Sequence, residues 1–237
     1  MVGFGPADLG SNPSRATSHI RNFINRFRFD DTMAIQNIAV LGAGQMGNGI
    51  TQVAAAAGYN VTMIDIQQEY VDKGLATIER SLGKLVSKER MSQEDADATL
   101  ARISLSTDRA DCADCDLVVE AVPEIVDLKT SIFAELDSIC KPETILASNT
   151  SSISISTIAD ATNRPDKVIG MHFMNPVPIM KLVEVINGDK TSAETNAAVI
   201  EASEKMGKIA LSCNDSPGFV SNRILCPMLN EAILTLQ

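Results

Sequence analysis

The 237-residue chain is 45% hydrophobic, carries a formal net charge of −10 and has a pI of about 4.7. That length and apolar content suit a globular protein of one large or two modest domains, and the acidic balance excludes a nucleic-acid-binding footprint, which would be basic. No apolar run reaches the roughly 18–20 residues of a membrane span, so neither nucleic acid nor a membrane is expected as a partner.

Residues 1–32 differ from the rest. They are rich in Gly, Pro, Ser and Asn, and set Arg15, Arg21, Arg26 and Arg28 against only Asp8, Asp30 and Asp31. An Arg-rich, acid-poor leader is one form of mitochondrial transit peptide, which would put the protein in the mitochondrial matrix. The preferred expectation is a bacterial, cytoplasmic protein whose true start is Met33, because the first strand opens directly after it. N-terminal sequencing of natural protein that began before Met33 would overturn that expectation.

The next stretch, Asn37-Ile-Ala-Val-Leu41-Gly42-Ala-Gly44-Gln45-Met46-Gly47, runs from an apolar strand into Gly-x-Gly-x-x-Gly. A small-residue helical pattern follows and stops at Gly58. A second apolar run, Val61-Thr-Met-Ile64, then ends on Asp65. This is the strand, glycine turn, helix, strand, acid order of a dinucleotide-binding unit. Gly42 permits the tight turn, Gly44 lets the backbone approach a pyrophosphate, and Gly47 lets helix and strand pack closely. Asp65 disfavours a 2′-phosphate, and no basic residue follows it at 66–68, so the expected cofactor is NAD rather than NADP.

A long polar stretch, 67–102, carries Val71, Leu75, Ile78, Leu82, Leu85 and Val86 at three- and four-residue spacing, which is an amphipathic helix. Met91-Ser92 reads as the turn into a second helix capped by Ser92. The hairpin is longer than a crossover requires and is expected to project from the sheet. Strands follow at Ile103–Ser106, 117–121, 144–147, 167–172, 182–186 and 209–212, with helices at 124–139, 154–159 and 191–206. That alternation predicts an α/β fold, a Rossmann-type doubly wound parallel sheet spanning residues 33–215. Past Ser216-Pro-Gly-Phe219, a wide apolar helical stripe (Ile224, Leu225, Met228, Leu229, Ile233) needs partners. Residues 216–237 therefore read as the incomplete start of an all-helical second domain.

The five cysteines, Cys112, Cys115, Cys140, Cys213 and Cys226, are an odd count and read as free thiols in a reducing compartment. Cys112-Ala-Asp-Cys115 has no second pair and no nearby histidine, so it is read as structural, and no metal site is expected.

The histidines are His19 and His172. His172 sits where a strand runs out into Asn175-Pro-Val-Pro178, at a sheet edge where ligands bind, and an imidazole can take a hydroxyl proton near neutral pH. Glu184 lies inside an apolar run, where a charge needs a partner; pairing it with His172 answers both needs. An isolated core histidine and a strand-edge glutamate would explain the two residues as well. Ser148-Asn149-Thr150-Ser151-Ser152 ends a strand and could donate to a substrate oxygen, or Ser151 or Ser152 could simply cap the next helix. Glu120-Ala-Val-Pro-Glu124 could line a cofactor cleft or be a solvated loop.

Five segments stand in order: Gly42-Ala-Gly44-Gln-Met-Gly47, Val118-Val-Glu120-Ala, Ala147-Ser-Asn149-Thr-Ser151-Ser, His172-Phe-Met-Asn175-Pro-Val-Pro-Ile-Met-Lys181-Leu-Val-Glu184-Val and Pro217-Gly-Phe-Val-Ser-Asn222-Arg223. From about Ala34 onward the chain resembles the NAD-dependent L-3-hydroxyacyl-CoA dehydrogenases, most closely the bacterial 3-hydroxybutyryl-CoA dehydrogenases. The resemblance implies His172 as general base on the 3-hydroxyl, Glu184 as its orienting carboxylate, and Ser151 and Asn222 at the substrate oxygen or thioester. It implies Gly42, Gly44, Gln45, Met46 and Gly47 at the pyrophosphate, Asp65 at the adenosine ribose, and Glu120, Asn149 and Asn175 towards the nicotinamide. Ser81, Lys84 and Lys88 match positions that contact coenzyme A; they share a helix face, which could equally be an ordinary solvated one. The implied partners are an acyl-CoA substrate and, through the helical C-terminal domain, a second copy. A related hydroxy-acid (L-gulonate type) dehydrogenase, a non-catalytic NAD-binding protein and an inactive fragment are the competing readings; Lys84 and Lys88 argue against the first, and the His172–Glu184 pair against the second.

Overall fold

The computed structural model describes residues 35–236; the expected leader, 1–32, lies outside them. Eight strands form one sheet in the order β3-β2-β1-β4-β5-β6-β7-β8: β1 Asn37–Leu41, β2 Asn60–Ile64, β3 Ile103–Ser106, β4 Leu117–Glu120, β5 Ile145–Ser148, β6 Val168–Phe173, β7 Leu182–Asn187 and β8 Ile209–Asn214. Helices α1 Gln45–Ala56, α2 Gln68–Ser87, α3 Gln93–Leu100, α4 Val126–Ile139, α5 Ile155–Ala159, α6 Ala193–Lys205 and α7 Ser221–Thr235 connect and follow them. Two short 3-10 turns, Arg109–Cys112 and Pro165–Lys167, carry no periodicity that the sequence reading could have used.

The strands read as near-continuous apolar runs because both faces of the sheet are covered. Along β1, Ile38 and Val40 join one core with Ile50 and Ala54 of α1 and Val199 and Ala202 of α6. Ala39 and Leu41 join the opposite core with Phe133 and Leu136 of α4 and Ile158 of α5. Successive side chains of a strand point to opposite faces, so one apolar strand serves both layers. The α2–α3 hairpin docks by its inner face, Val71, Ile78, Leu82 and Ala96 packing with Ala43 and Met63, while Gly83, Lys84 and residues 87–90 stay exposed. Ser92 caps α3 as expected, accepting from Asp95 N at 3.0 Å.

Two local expectations are corrected. The sheet is not wholly parallel: β7 runs antiparallel to β6, and β8 parallel to β7. Residues 174–181, which join β6 to β7, are too few for the dozen or more a parallel crossover needs, so the chain must turn back. The cap of α5 is Ser154, which accepts from Thr157 N at 3.2 Å, because Ser151 and Ser152 are held elsewhere. The α7 helix is formed, but none of its residues is buried among those described.

Candidate active site

The carboxyl ends of the parallel strands converge on one edge, where open α/β sheets bind ligands. The first part of the site is the glycine turn after β1. Gly42 has φ +96°, and a Cβ there would lie 2.7 Å from Ala121 O. A Cβ on Gly47 would lie 1.6 Å from Gly42 O, so α1 can start against the turn only with glycine at that position. Gly44 is different: a Cβ would meet nothing within 4 Å, so its backbone faces open space. No side chain caps α1 and no acid lies in its first turn. Its free N–H groups and dipole therefore favour an anion. Gly44, Gln45 and Met46 line a cavity of about 1150 Å³ that also takes in Asp65, Ile66 and Val122.

Asp65 ends β2 and braces this turn. Its Oδ2 accepts from Ala43 N and its Oδ1 from Ile66 N, both at 2.7 Å. The carboxylate faces the cavity and keeps unused acceptor capacity for sugar hydroxyls. A pyrophosphate at the uncapped helix start and a ribose at Asp65 are what a dinucleotide supplies, and the residues fit one.

The second part is a relay across β5, β6 and β7. His172 Nδ1 lies 2.8 Å from Glu184 Oε2, and His172 Nε2 lies 3.1 Å from Ser151 Oγ. Both members of the pair are buried. A carboxylate can only accept, so Nδ1 carries its proton towards Glu184 and Nε2 is left as the acceptor. The other oxygen, Glu184 Oε1, accepts from Val220 N at 3.0 Å, Ser221 N at 2.8 Å and Ser221 Oγ at 3.0 Å. Burial pushes the Glu184 carboxyl up, but these hydrogen bonds and the one from His172 outweigh it and leave it below the usual carboxylate range. Asn222 Nδ2 donates to Ser151 O at 3.3 Å. Asn175 Oδ1 accepts from Gln45 Nε2 at 3.1 Å, which ties the loop after His172 to the glycine turn.

The structure brings His172, Glu184, Ser151 and Asn222 into one cluster and links Asn175 to it through the loop after β6. It does not bring every expected residue to the cleft. Glu120 is fully buried: its Oε1 takes Lys129 Nζ and Val122 N, both at 2.6 Å, and its Oε2 takes Ser148 Oγ at 2.7 Å. Every oxygen is engaged, so Glu120 anchors α4 to the sheet and presents nothing to a cofactor. Asn149 is turned inward, its Oδ1 accepting from Phe173 N at 2.9 Å, and so pins β6 to the end of β5. Ser81 is half-buried and Lys84 and Lys88 are exposed; they share the hairpin face and line no part of the glycine-turn cavity.

Sequence reasoning missed Glu124 and Lys129 as a working pair. Glu124 Oε1 accepts from Ser151 N at 2.9 Å, from Ser152 N and Oγ at 3.1 Å, and from Thr150 Oγ1. It thereby gathers the loop that carries Ser151. Lys129 Nζ lies 3.4 Å from Glu124 Oε2 and is itself buried. An acid in the loop four residues past the end of β4 and a lysine five residues later gave only a weak signal, because burial of Lys129 depends on the rotation of α4.

The cysteines stand apart from this site. Cys112, Cys115 and Cys140 are buried and free, and burial foremost pushes the Cys115 and Cys140 thiols up to about 11 and Cys112 higher still. Among the described residues no helix is long and apolar enough to cross a membrane.

Residues 37–216 match the family described as "3-hydroxyacyl-CoA dehydrogenase, NAD binding domain". The chain is 58% identical over 194 residues to a "Probable 3-hydroxybutyryl-CoA dehydrogenase" of Deinococcus radiodurans, covering 82% of this chain and 69% of that protein. A protein of the same description from Bacillus subtilis is 52% identical over 201 residues, covering 85% and 70%. Among solved structures, (S)-3-hydroxybutyryl-CoA dehydrogenase from Ralstonia eutropha superposes with a TM-score of 0.84 at 49% identity, covering 86% of this chain and 72% of that one. With a glycine turn built for a dinucleotide and a histidine held ready beside it, this chain belongs to the NAD-dependent 3-hydroxyacyl-CoA dehydrogenase family.

Proposed function

We propose that the protein interconverts an (S)-3-hydroxyacyl-CoA, first of all (S)-3-hydroxybutyryl-CoA, and the 3-ketoacyl-CoA. The observation that carries this reading is the Glu184–His172–Ser151 relay, which leaves His172 Nε2 as an acceptor at the carboxyl edge of the sheet. His172 takes the proton of the 3-hydroxyl at Nε2. Glu184 holds the ring in the required tautomer and stabilises the imidazolium that forms. Ser151, kept in place by Glu124 and Asn222, donates to the substrate oxygen. NAD, when bound, supplies the hydride acceptor, and the protein supplies orientation and the proton. In the reverse direction His172 returns the proton to the ketone oxygen. Gly42, Gly44, Gln45, Met46 and Asp65 hold the cofactor, and Asn175 closes its nicotinamide side.

Lys84 and Lys88, exposed on one helix face with Ser81, suit the phosphates of coenzyme A. Residues 33–215 form the cofactor domain in this reading, and 216–237 open a helical one. The apolar residues of α7, among them Ile224, Met228 and Ile233, are exposed and support self-association through this helix. The free thiols support a reducing, cytoplasmic setting.

The test is turnover of acetoacetyl-CoA with NADH by the purified protein, beside acetoacetate and NADPH. Turnover of the thioester with NADH, and little with either alternative, is expected. Binding of NADH without turnover of any acyl-CoA would remove the substrate assignment.

A further inference from the structure

Four consecutive residues clasp the whole relay. Phe219 packs edge-on against the His172 ring, with centroids 5.8 Å apart. Val220 and Ser221 donate three hydrogen bonds to Glu184 Oε1. Asn222 donates to Ser151 O. The segment reaches this position through two left-handed residues in succession, Gly218 at φ +78° and Phe219 at φ +50°. A non-glycine residue in that region is uncommon, and such strain persists only where the surroundings hold it. Here Phe219 is buried in the core of the α4–α5 face. Its backbone turns the next two N–H groups onto one carboxylate oxygen, the concave donor arrangement that suits an anion.

We infer that Ser221 is a positioning residue: its hydroxyl and N–H, aimed by the left-handed Phe219, fix the Glu184 carboxylate so that Oε2 alone is offered to His172. The sharing of oxygens is the argument. With Oε1 saturated by three donors from the start of α7, the carboxylate cannot rotate, and Oε2 stays 2.8 Å from Nδ1. Removing the hydroxyl leaves charge on the carboxylate less well satisfied by α7. The carboxylate is then freer to turn, and its hold on His172 Nδ1 loosens. The groups facing the pair are few. Cys213 of β8 lies near Glu184 as a thiol pushed up to about 11, by burial first and Glu184 second. Ser151 faces Nε2, and Glu124 is the charge behind it. None of these changes when Ser221 is substituted.

The inference rests on the proposed role of His172 as base for its catalytic meaning, but its test needs no turnover. The protein has two histidines, so the Nδ1–H proton that His172 shares with Glu184 can be followed by NMR as a downfield resonance and assigned with His19→Gln. Ser221→Val removes the hydroxyl while keeping the bulk of threonine, and Ser221→Ala removes it with less bulk should the valine disturb the fold. Both are expected to move that resonance upfield and to speed its exchange with solvent, because a carboxylate free to turn holds Nδ1–H less well. Ser221→Thr, which restores a hydroxyl, is expected to return the resonance to its position in the parent protein. A resonance unmoved in both hydroxyl-free variants overturns the inference, and so does a threonine variant that shifts as far as valine. Absence of turnover in the parent protein would instead count against the proposed reaction and leave this resonance readable.

Discussion

His172 and Glu184 are direct register partners across the antiparallel pair β6–β7. Directly opposed residues in an antiparallel ladder project to the same face, so backbone pairing brings the imidazole and the carboxylate together, 2.8 Å apart. Two substitutions separate orientation from chemistry. His172→Asn removes the proton acceptor, and turnover is expected to fall by about 10²–10⁴-fold, the range of a lost general base. Glu184→Gln keeps the shape but can offer His172 a donor, which favours the wrong tautomer; a loss of similar order is expected. NADH affinity, measured by fluorescence titration, should change less than about threefold in either, because neither side chain belongs to the glycine turn. Full turnover in His172→Asn would remove the proposed mechanism.

Much of this arrangement was legible in the sequence. The apolar run ending at Gly42 and the acid at Asp65 fix the first β-α-β, because a buried parallel strand and a left-handed turn leave few other readings. Glu184 in an apolar strand announced a partner. Its register with His172 was also within reach, since residues 174–181 are too few for a parallel crossover. Glu120 was not legible. An acid at a strand's end looks alike whether it faces a cleft or is sealed by a lysine nine residues on, and the rotation of α4 decides. Ser221 was hidden for a similar reason, because its aim depends on the left-handed backbone of Phe219.

Two glycines of one motif should fail differently. A methyl at Gly47 would sit 1.6 Å from Gly42 O, whereas a methyl at Gly44 meets nothing within 4 Å. Gly47→Ala must push α1 off the turn, and a loss of at least about 1–3 kcal/mol of stability is expected from such overpacking. Gly44→Ala should cost only about 1 kcal/mol, since alanine is a poorer N-cap than glycine but meets no clash there. It places its methyl where a pyrophosphate would approach, and NADH affinity is expected to drop about tenfold or more, or roughly 1.4 kcal/mol. Equal melting temperatures for the two variants would show that the turn relaxes around Gly47.

Lys129 is the buried charge on which the α4 anchor depends. Its ammonium lies 2.6 Å from Glu120 and 3.4 Å from Glu124, with side-chain exposures of 1% and 0% for Lys129 and Glu120. Removing one member of such a pair leaves the other ionised in a dry site, which destabilises by about 3–5 kcal/mol. Lys129→Met is expected to show a loss of that order in urea unfolding. The double variant Glu120→Gln, Lys129→Met removes both charges together and should recover a large part of it. A double variant no more stable than the single one would mean that Lys129 matters by packing and not by charge.

The acid limit of the fold follows from its paired carboxylates. Burial pushes the carboxyls of Asp116, Glu124, Asp137, Glu184 and Asp215 up, but their hydrogen bonds and cations prevail and hold each below its ordinary value. In the acid range the folded chain therefore binds fewer protons than the unfolded chain, so stability rises with pH there. The contribution is complete above the ordinary carboxyl range near about pH 4–4.5 and is lost as pH falls through the lowered folded values. Asp137 offers a direct check. It takes Arg164 Nε at 2.6 Å and the backbone and side-chain N–H groups of Asn163 at 2.9 Å, which together fasten the end of α4 to the turn that leads into the strand carrying His172. Asp137→Asn should be less stable than the parent protein at neutral pH by about 1–3 kcal/mol, the scale of a hydrogen-bonded charge. The gap should narrow on going from about pH 6 to about pH 3.5, because the parent loses what the variant already lacks. Urea midpoints at the two pH values read this directly, and a gap that widens towards acid would contradict the assignment of Asp137 as an ionised anchor.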